Sequence, residues 1–304
     1  METFTKSLNW HFTQSGDPRG YIQPGRLKEL WFHTGTRCNL GCDFCLEGAS
    51  PSSKRLDAPT LEEVKPYIDQ ALAMEVEKFS FTGGEPFLVK DIIKILNYAS
   101  QYRPVLVLTN GTEPLLKRLD ALSKLLANPN PIALRISLDK LDPASHDAHR
   151  GQGAFARALV GLKVLHQKGF HVSIARHMAK EEDSVAIEQG FRELFKLNGL
   201  PQDLTIVTFP EFLTPGSHPD VPDISEHCMT YYQSEESRAQ FMCHFSKMIV
   251  KRDGKMNIYA CTLVDDDLDY EMAGDLSECQ SQKISMKHHR CYSCFMYGSS
   301  CSET

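Results

Sequence analysis

Residues 33–45 read HTGTRCNLGCDFC. They set Cys38, Cys42 and Cys45 at spacings of four and three residues, with Gly41 between the first two and Phe44 directly before the last. The run ahead of them, LKELWFH over 27–33, reads as a short buried strand. A loop that leaves a strand and presents three cysteines is a metal site, because thiolates are soft ligands suited to iron–sulfur clusters or zinc. A cubane cluster has four irons, so three protein ligands leave one iron open. Structural zinc asks for four ligands in knuckle-like pairs, which a single triplet does not supply.

CNLGCDFC resembles the signature loop of the radical S-adenosylmethionine (radical SAM) superfamily. The resemblance implies that Cys38, Cys42 and Cys45 hold a [4Fe–4S] cluster. It also implies that the open iron takes the amino and carboxylate groups of the methionine moiety of SAM, and that Phe44 lies beside the adenine.

The 304 residues suffice for one large domain and a small one. Apolar content of 41% and charged content of 24% are those of an ordinary globular chain. The net charge of −6, without a dense basic run, argues against nucleic acid as the main partner. No apolar run reaches the ~18 residues that would predict a membrane span, and the polar N-terminus lacks a signal core. Ten cysteines without a secretion signal point to a reducing, cytoplasmic setting, where cysteines bind metal or do redox work.

Residues 1–26 carry glycines and prolines without periodicity and read as an irregular arm, too short for a separate peptide-recognition domain. The small and polar run 48–55 reads as a lid over the cysteine loop. Thr60 and Glu63 form a capping box, and Leu61, Val64, Ile68 and Leu72 follow at helical spacing, with Pro66 inside the pattern. Strands are expected near 78–82, 105–112, 133–139, 171–177 and 204–210, and helices near 91–102, 115–126, 155–168 and 185–197. Gly169 is a C-cap candidate. With the strand at 27–33, strand and helix alternate six times, and the strands are apolar runs, as in a parallel sheet buried on both faces. Six units are too few for a closed eight-fold barrel. The resemblance implies a partial (β/α)6 TIM-like barrel, and the period count agrees with it. From residue 217 the alternation stops. A linker with a short helix leads to a hairpin over 248–261 that turns at Asp253–Gly254, and the tail from 291 reads as a cysteine-rich loop. The expected organisation is an arm at 1–26, a barrel at 27–216 and a small domain at 217–304.

TGGEP places Gly83, Gly84 and Glu85 after the second strand, where glycines let a backbone approach a ligand. One βα unit after the cysteine triplet, it resembles the family's motif for the SAM amino group. Asn110 and Thr112 end the third strand. They read either as a plain turn or as a polar floor to a pocket at the strand ends. Ser137 and Asp139 end the fourth strand, and Arg150 follows. In similar sequences the serine meets the SAM ribose or carboxylate and the arginine pairs with the carboxylate, a task suited to a forked guanidinium. Arg176 and His177, ending the fifth strand, face the same mouth.

The other seven cysteines are Cys228, Cys243, Cys261, Cys279, Cys291, Cys294 and Cys301. Cys243 and Cys261 flank the hairpin, and Cys291 and Cys294 form a CxxC. This resembles the auxiliary-cluster domains called SPASM and twitch. Too few cysteines follow the CxxC for two auxiliary clusters, so the match is to the one-cluster twitch type. Cys243, Cys261, Cys291 and Cys294 are its expected ligands, with Cys301 a possible substitute. A zinc ribbon on the same four thiolates is the alternative. Cys228 and Cys279 are left as buried thiols.

The resemblance implies an enzyme that reductively cleaves SAM to a 5′-deoxyadenosyl radical and abstracts a hydrogen atom from its substrate. A peptide or protein side chain is the first expectation. Oxidation or rearrangement of a small molecule is the second, and a non-catalytic metal-binding scaffold the third. The molybdenum-cofactor cyclase branch is disfavoured by the absence of its glycine-rich tail. A reducing partner such as flavodoxin or ferredoxin is implied, with no nucleic acid and no membrane.

Overall fold

The computed structural model describes residues 6–178, 182–210 and 212–298. Its strands are β1 (Tyr21–Ile22), β2 (Glu29–His33), β3 (Lys78–Thr82), β4 (Val105–Thr109), β5 (Ile132–Ser137), β6 (His171–His177), β7 (Ile206–Phe209), β8 (Ser246–Arg252), β9 (Lys255–Tyr259), β10 (Glu271–Met272) and β11 (Ile284–Ser285). The helices are α1 (Leu61–Ala73), α2 (Ile92–Ser100), α3 (Glu113–Leu116), α4 (Leu119–Ser123), α5 (Pro143–Arg150), α6 (Ala154–Lys168), α7 (Ser184–Leu197), α8 (Glu226–Tyr232), α9 (Glu235–Arg238), α10 (Met242–Phe245), α11 (Leu276–Ser281) and α12 (His289–Tyr297).

The strands from β2 to β7 pair side by side, all parallel, in chain order. Helices between them pack on the sheet, α2 on β4 and α6 on β5 and β6. Trp31, Phe32, Phe79, Phe81, Val107, Leu134, Ile136 and Ile174 are buried along the strands, which explains why these read as mainly apolar runs. Among the described residues no pairing joins β7 to the opposite edge, so the barrel stays open.

The hairpin β8–β9 does not stand apart. β8 pairs in parallel with β2, so the hairpin and β10 extend the barrel sheet to nine strands, ordered β10-β9-β8-β2-β3-β4-β5-β6-β7. Asp253 and Gly254 turn the hairpin with φ of +50° and +75°, the double positive φ of a type I′ turn. The N-terminal arm is held by the C-terminal region: β1 pairs with β11, and Trp10 meets Tyr270 edge-on with ring centroids 4.9 Å apart. The capping box of Thr60 and Glu63 starts α1, and Gly169 ends α6 with φ +94°.

Three sequence expectations need correction. The helix over 115–126 is broken into α3, α4 and a 3-10 turn, Lys124–Ala127, because the chain leaves helical geometry at Arg118. The stretch after Asp139 contains α5, unrecognised although its start was legible: Asp142 caps the Ser145 N–H and Pro143 fills the first helical position. The tail is not a loop up to Tyr297 but α12. There the His288 side chain accepts from the Arg290 N–H, and Arg290 and Cys294, four residues apart, are buried on one face. Cys301 lies outside the described residues.

Gly161 on α6 sits against the backbone of Gly111 in the β4–α3 turn, where a Cβ would collide with the Gly111 carbonyl oxygen. Gly161→Ala should therefore destabilise the protein by about 1–3 kcal/mol, despite a helix-propensity gain of ~1 kcal/mol. Urea unfolding of the two proteins checks this, and a more stable variant would show that the contact relaxes freely.

Candidate functional site

The C-terminal ends of β2 to β6 open on one cavity of about 140 Å3. Its wall carries Cys38, Cys42, Phe44 and Cys45 from the loop after β2 and Gly83 and Gly84 from the loop after β3. Asn110, Ser137, Asp139, Arg150, Arg176 and His177 complete it.

The two loops interlock through their backbones. Gly84 N–H donates to Gly35 O (2.8 Å) and Glu85 N–H to Arg37 O (3.0 Å). Gly83 has φ +140°, and a Cβ there would lie 2.7 Å from Thr34 Oγ1; a Cβ on Gly84 would collide with the Arg37 carbonyl. The glycines thus bring the second loop against the cysteine loop itself, while their backbone borders the cavity.

The three thiols are held among N–H donors. Leu40 N–H points at Cys38 Sγ (3.4 Å), Ala49 N–H at Cys45 Sγ (3.4 Å), and Asn110 Nδ2 lies 3.7 Å from Cys38 Sγ. Burial pushes the Cys38 thiol up to about 12 and raises Cys42 and Cys45, with neighbouring negative charge adding to the effect: Glu85 at Cys38, Cys45 at Cys42 and Glu47 at Cys45. These thiols therefore stay protonated until a cation compensates them, and N–H donors at the sulfurs favour the thiolate once it forms. The donor set fits an iron–sulfur cluster held by three cysteines.

Arg150 ends α5 with Nε on the Asp139 carboxylate and Nη1 3.9 Å from Cys42 Sγ. Its guanidinium lies 5.2 Å from the Phe44 ring centroid, and His177 packs on that ring at 4.2 Å. Arg176 is engaged by both carboxylate oxygens of Glu182. Glu85 is placed differently from the other candidates. Its carboxylate does not face the cavity but accepts from Phe87 N–H (3.1 Å), Asn110 N–H (2.9 Å) and Thr109 Oγ1 (2.8 Å), joining the ends of β3 and β4.

A second group of cysteines converges beside β8. Cys243 on α10, Cys261 after β9, and Cys291 and Cys294 on α12 all line one small cavity with Tyr270 and Arg290. Burial and mutual proximity raise Cys243 well above the ordinary thiol range, and burial pushes Cys291 up to about 12. Tyr270 Oη lies 3.6 Å from Cys291 Sγ. Cys279 does not line this cavity, its sulfur lying 3.8 Å from Ala273 O, and Cys228 sits on α8 against Ser225. Four converging buried thiols fit a four-cysteine cluster or zinc equally well by donor set.

Sequence reasoning missed what joins the two cysteine sites. Arg290, wholly buried, donates to Leu46 O (3.1 Å), Leu213 O (2.5 Å) and Leu263 O (2.9 Å). It thereby ties the residue after Cys45 to the segment after Cys261. Arg55 bridges Glu47 (3.4 Å) and Asp265 (2.7 Å), and Glu47 meets His33 Nε2 at 2.8 Å. Gly35 N–H donates to His33 Nδ1 (3.0 Å), so the ring proton resides on Nε2, toward Glu47. Lys247 is buried beside Cys243, donating to Cys243 O (3.1 Å) and Ser246 O (3.0 Å). Nothing in the spacing of these charged residues marks them; only an arginine directly before Cys291 was visible.

Burial raises the Glu85 carboxyl to about 7 from its ordinary 4.5. A raised folded value means that its stabilising contribution is complete below 4.5 and is lost as pH rises toward 7. Glu85→Gln, neutral throughout, should gain on the wild type across that window by about 3 kcal/mol. Urea titrations at pH 4.5 and 7.5 check this, and a difference independent of pH would show that the three donors hold the ionised carboxylate as well as the acid.

A sequence profile of the radical SAM superfamily matches residues 32–186, just over half the chain. The chain is 34% identical over 146 residues to the antilisterial bacteriocin subtilosin biosynthesis protein AlbA of Bacillus subtilis strain 168, covering 47% of this chain and 32% of AlbA. It is 32% identical over 189 residues to the AdoMet-dependent heme synthase of Methanosarcina barkeri, covering 61% of this chain and 50% of that protein. It therefore spans a third to a half of these relatives' length. SuiB of Streptococcus suis shares the fold, with a TM-score of 0.60 at 16% identity over 84% of this chain and 66% of SuiB. The matched residues run from β2 through the cysteine loop to the start of α7, the part of the sheet that builds the cavity, and the chain belongs to the radical SAM superfamily, whose cofactors are a [4Fe–4S] cluster and SAM.

Proposed function

We propose that this chain is a radical SAM enzyme that cleaves SAM reductively and removes a hydrogen atom from a peptide or protein side chain. The observation that carries the reading is the convergence of Cys38, Cys42 and Cys45 on one cavity together with the strand-end groups Asn110, Ser137, Asp139, Arg176 and His177. When bound, the cluster supplies the electron that splits SAM, and SAM supplies the 5′-deoxyadenosyl radical.

The chain's own residues position and enclose. Cys38, Cys42 and Cys45 hold the cluster. The Gly83–Gly84 backbone leaves room for the amino group of SAM, and Phe44, steadied by His177 and Arg150, offers an apolar face to its adenine. Ser137 and Asn110 border the same space, and Arg150, placed by Asp139, supplies positive charge for a carboxylate. Glu85 acts beneath the site by joining the ends of β3 and β4. Leu40, Leu46, Leu108, Ala175 and Phe209 give this wall an apolar part, the kind of surface that keeps a radical from side reactions.

We assign residues 27–216 to the barrel and 217–304 to an auxiliary unit in which Cys243, Cys261, Cys291 and Cys294 hold a second [4Fe–4S] cluster. Four protein ligands leave no open iron, so its part is electron transfer and cohesion of the C-terminal region. A peptide substrate is supported by the likeness to AlbA, a bacteriocin biosynthesis protein, and to SuiB, which is also known bound to precursor peptide SuiA. A cytoplasmic setting is in keeping with ten cysteines and with the finding that no helix among the described residues is long and apolar enough to cross a membrane.

Replacing Cys38, Cys42 and Cys45 together by Ala should abolish release of 5′-deoxyadenosine with dithionite while leaving about four irons per chain and a cluster EPR signal. Further replacement of Cys291 and Cys294 should remove both. Persistent 5′-deoxyadenosine from the triple variant would refute the catalytic assignment. One zinc and no residual iron would refute the auxiliary cluster.

A further inference from the structure

Lys247 is the second residue of β8, pairs in register with Leu30 of β2, and is wholly buried. Side chains alternate along a strand, so Lys247 and Lys251 share one face of β8. Lys251 reaches the Glu63 carboxylate at 2.8 Å. Lys247 reaches carbonyls instead, donating to Cys243 O (3.1 Å) and Ser246 O (3.0 Å). The buried arginines Arg19, Arg176 and Arg290 each face a carboxylate, on Asp223, Glu182 and Asp266 respectively. Burial lowers the pKa of Lys247, and the negative charges that oppose this lie at Cys243, Cys279 and Cys261, with no carboxylate among the described residues.

Taking an ammonium out of water is costly unless a negative charge stands near it. Two carbonyl dipoles meet part of that need. The rest is met by the charge that gathers when thiols ionise around a metal. Cys243 and Cys261 line one cavity with Cys291 and Cys294, and so supply that charge together. Cys279 lies outside the cavity, and burial pushes its thiol up to about 12, so it stays neutral.

We propose that the Lys247 ammonium is the fixed counter-charge of the group held by Cys243, Cys261, Cys291 and Cys294 and raises its redox potential; the proposal rests on the auxiliary-cluster reading above. Four thiolates around an iron–sulfur core carry net negative charge. Uptake of one electron adds one more, and no proton moves. A nearby positive charge stabilises the reduced form more than the oxidised form, which moves the potential upward. β8 is paired with β2 on one side and β9 on the other, so the charge is held in place and does not have to reorganise when the electron arrives. The group is thereby biased to accept an electron. Lys247 acts through it and does not line the cavity of Cys38, Cys42 and Cys45.

The test reads the midpoint potential of the auxiliary cluster by EPR in mediated dithionite titrations. It uses the reconstituted full chain carrying Cys38→Ala, Cys42→Ala and Cys45→Ala, in which one cluster signal remains. Lys247→Met should lower the potential until the reduced-to-oxidised ratio at a fixed potential falls about tenfold, which is about 59 mV for one electron. Lys247→Gln keeps an N–H donor for the two carbonyls and should lower it as far. Lys247→Arg keeps the charge and should hold the ratio within about twofold of the parent. Lys251→Met, farther along the same face and relieved of a charge already paired with Glu63, should leave it unchanged. Iron content should stay at about four per chain throughout. The proposal falls if the Met and Gln variants keep the parent potential, if Arg lowers it as far as Met does, or if Lys251→Met lowers it equally. Loss of iron in Lys247→Met, with Gln keeping both iron and the parent potential, would likewise overturn it and leave a residue that serves folding alone. One zinc and no iron in the parent chain would instead overturn the auxiliary-cluster reading.

Discussion

Two loops at the ends of β2 and β3 share one backbone interface, and the cavity depends on it. Gly84 and Glu85 donate to the carbonyls of Gly35 and Arg37, and the approach is so close that a Cβ at Gly83 or Gly84 would collide with Thr34 or Arg37. That interface fixes the chain just ahead of Cys38. Glu85 then carries the constraint to β4, because its carboxylate gathers the N–H groups of Phe87 and Asn110 and the Thr109 hydroxyl. Asn110, so placed, reaches Cys38 and Asn39. The geometry around the first thiol is thus built from three strand ends rather than from the cysteine loop alone.

The second dependence is electrostatic. Seven buried or half-buried thiols gather in two places, and burial raises Cys38, Cys42 and Cys45 in the one and Cys243, Cys261 and Cys291 in the other. Between the two places run buried charges that a protein interior tolerates only when paired. Arg290 satisfies three carbonyls, and Arg55 neutralises Glu47 and Asp265. Both arginines connect the segment after Cys45 to the segment after Cys261. With the parallel pairing of β8 on β2, this makes the C-terminal region a continuation of the barrel sheet and no loose appendage.

Much of this was legible in short-range pattern. The spacing of Cys38, Cys42 and Cys45, the TGGEP turn, the six apolar strand runs and the Asp253–Gly254 turn all act through neighbours in the chain, so local chemistry announces them. The start of α5 is equally legible in Asp142, which caps it, and in Pro143 at its first position. The fragmentation of 115–126 was not, because apolar spacing there suits one continuous helix and local periodicity does not mark the break at Arg118.

The sequence by itself determined the alternation of strands and helices, the metal chemistry of the first three cysteines and the family to which they belong, since each depends on residues a few positions apart. Only the tertiary structure decided that the hairpin joins β2, that Cys243, Cys261, Cys291 and Cys294 share a cavity without Cys279, and that Glu85 points beneath the site. It also decided that Arg55 and Arg290 tie the two cysteine regions together. These contacts span up to hundreds of residues, and the partner of a buried charge is chosen by which segments the sheet order brings side by side, a choice that no local spacing records.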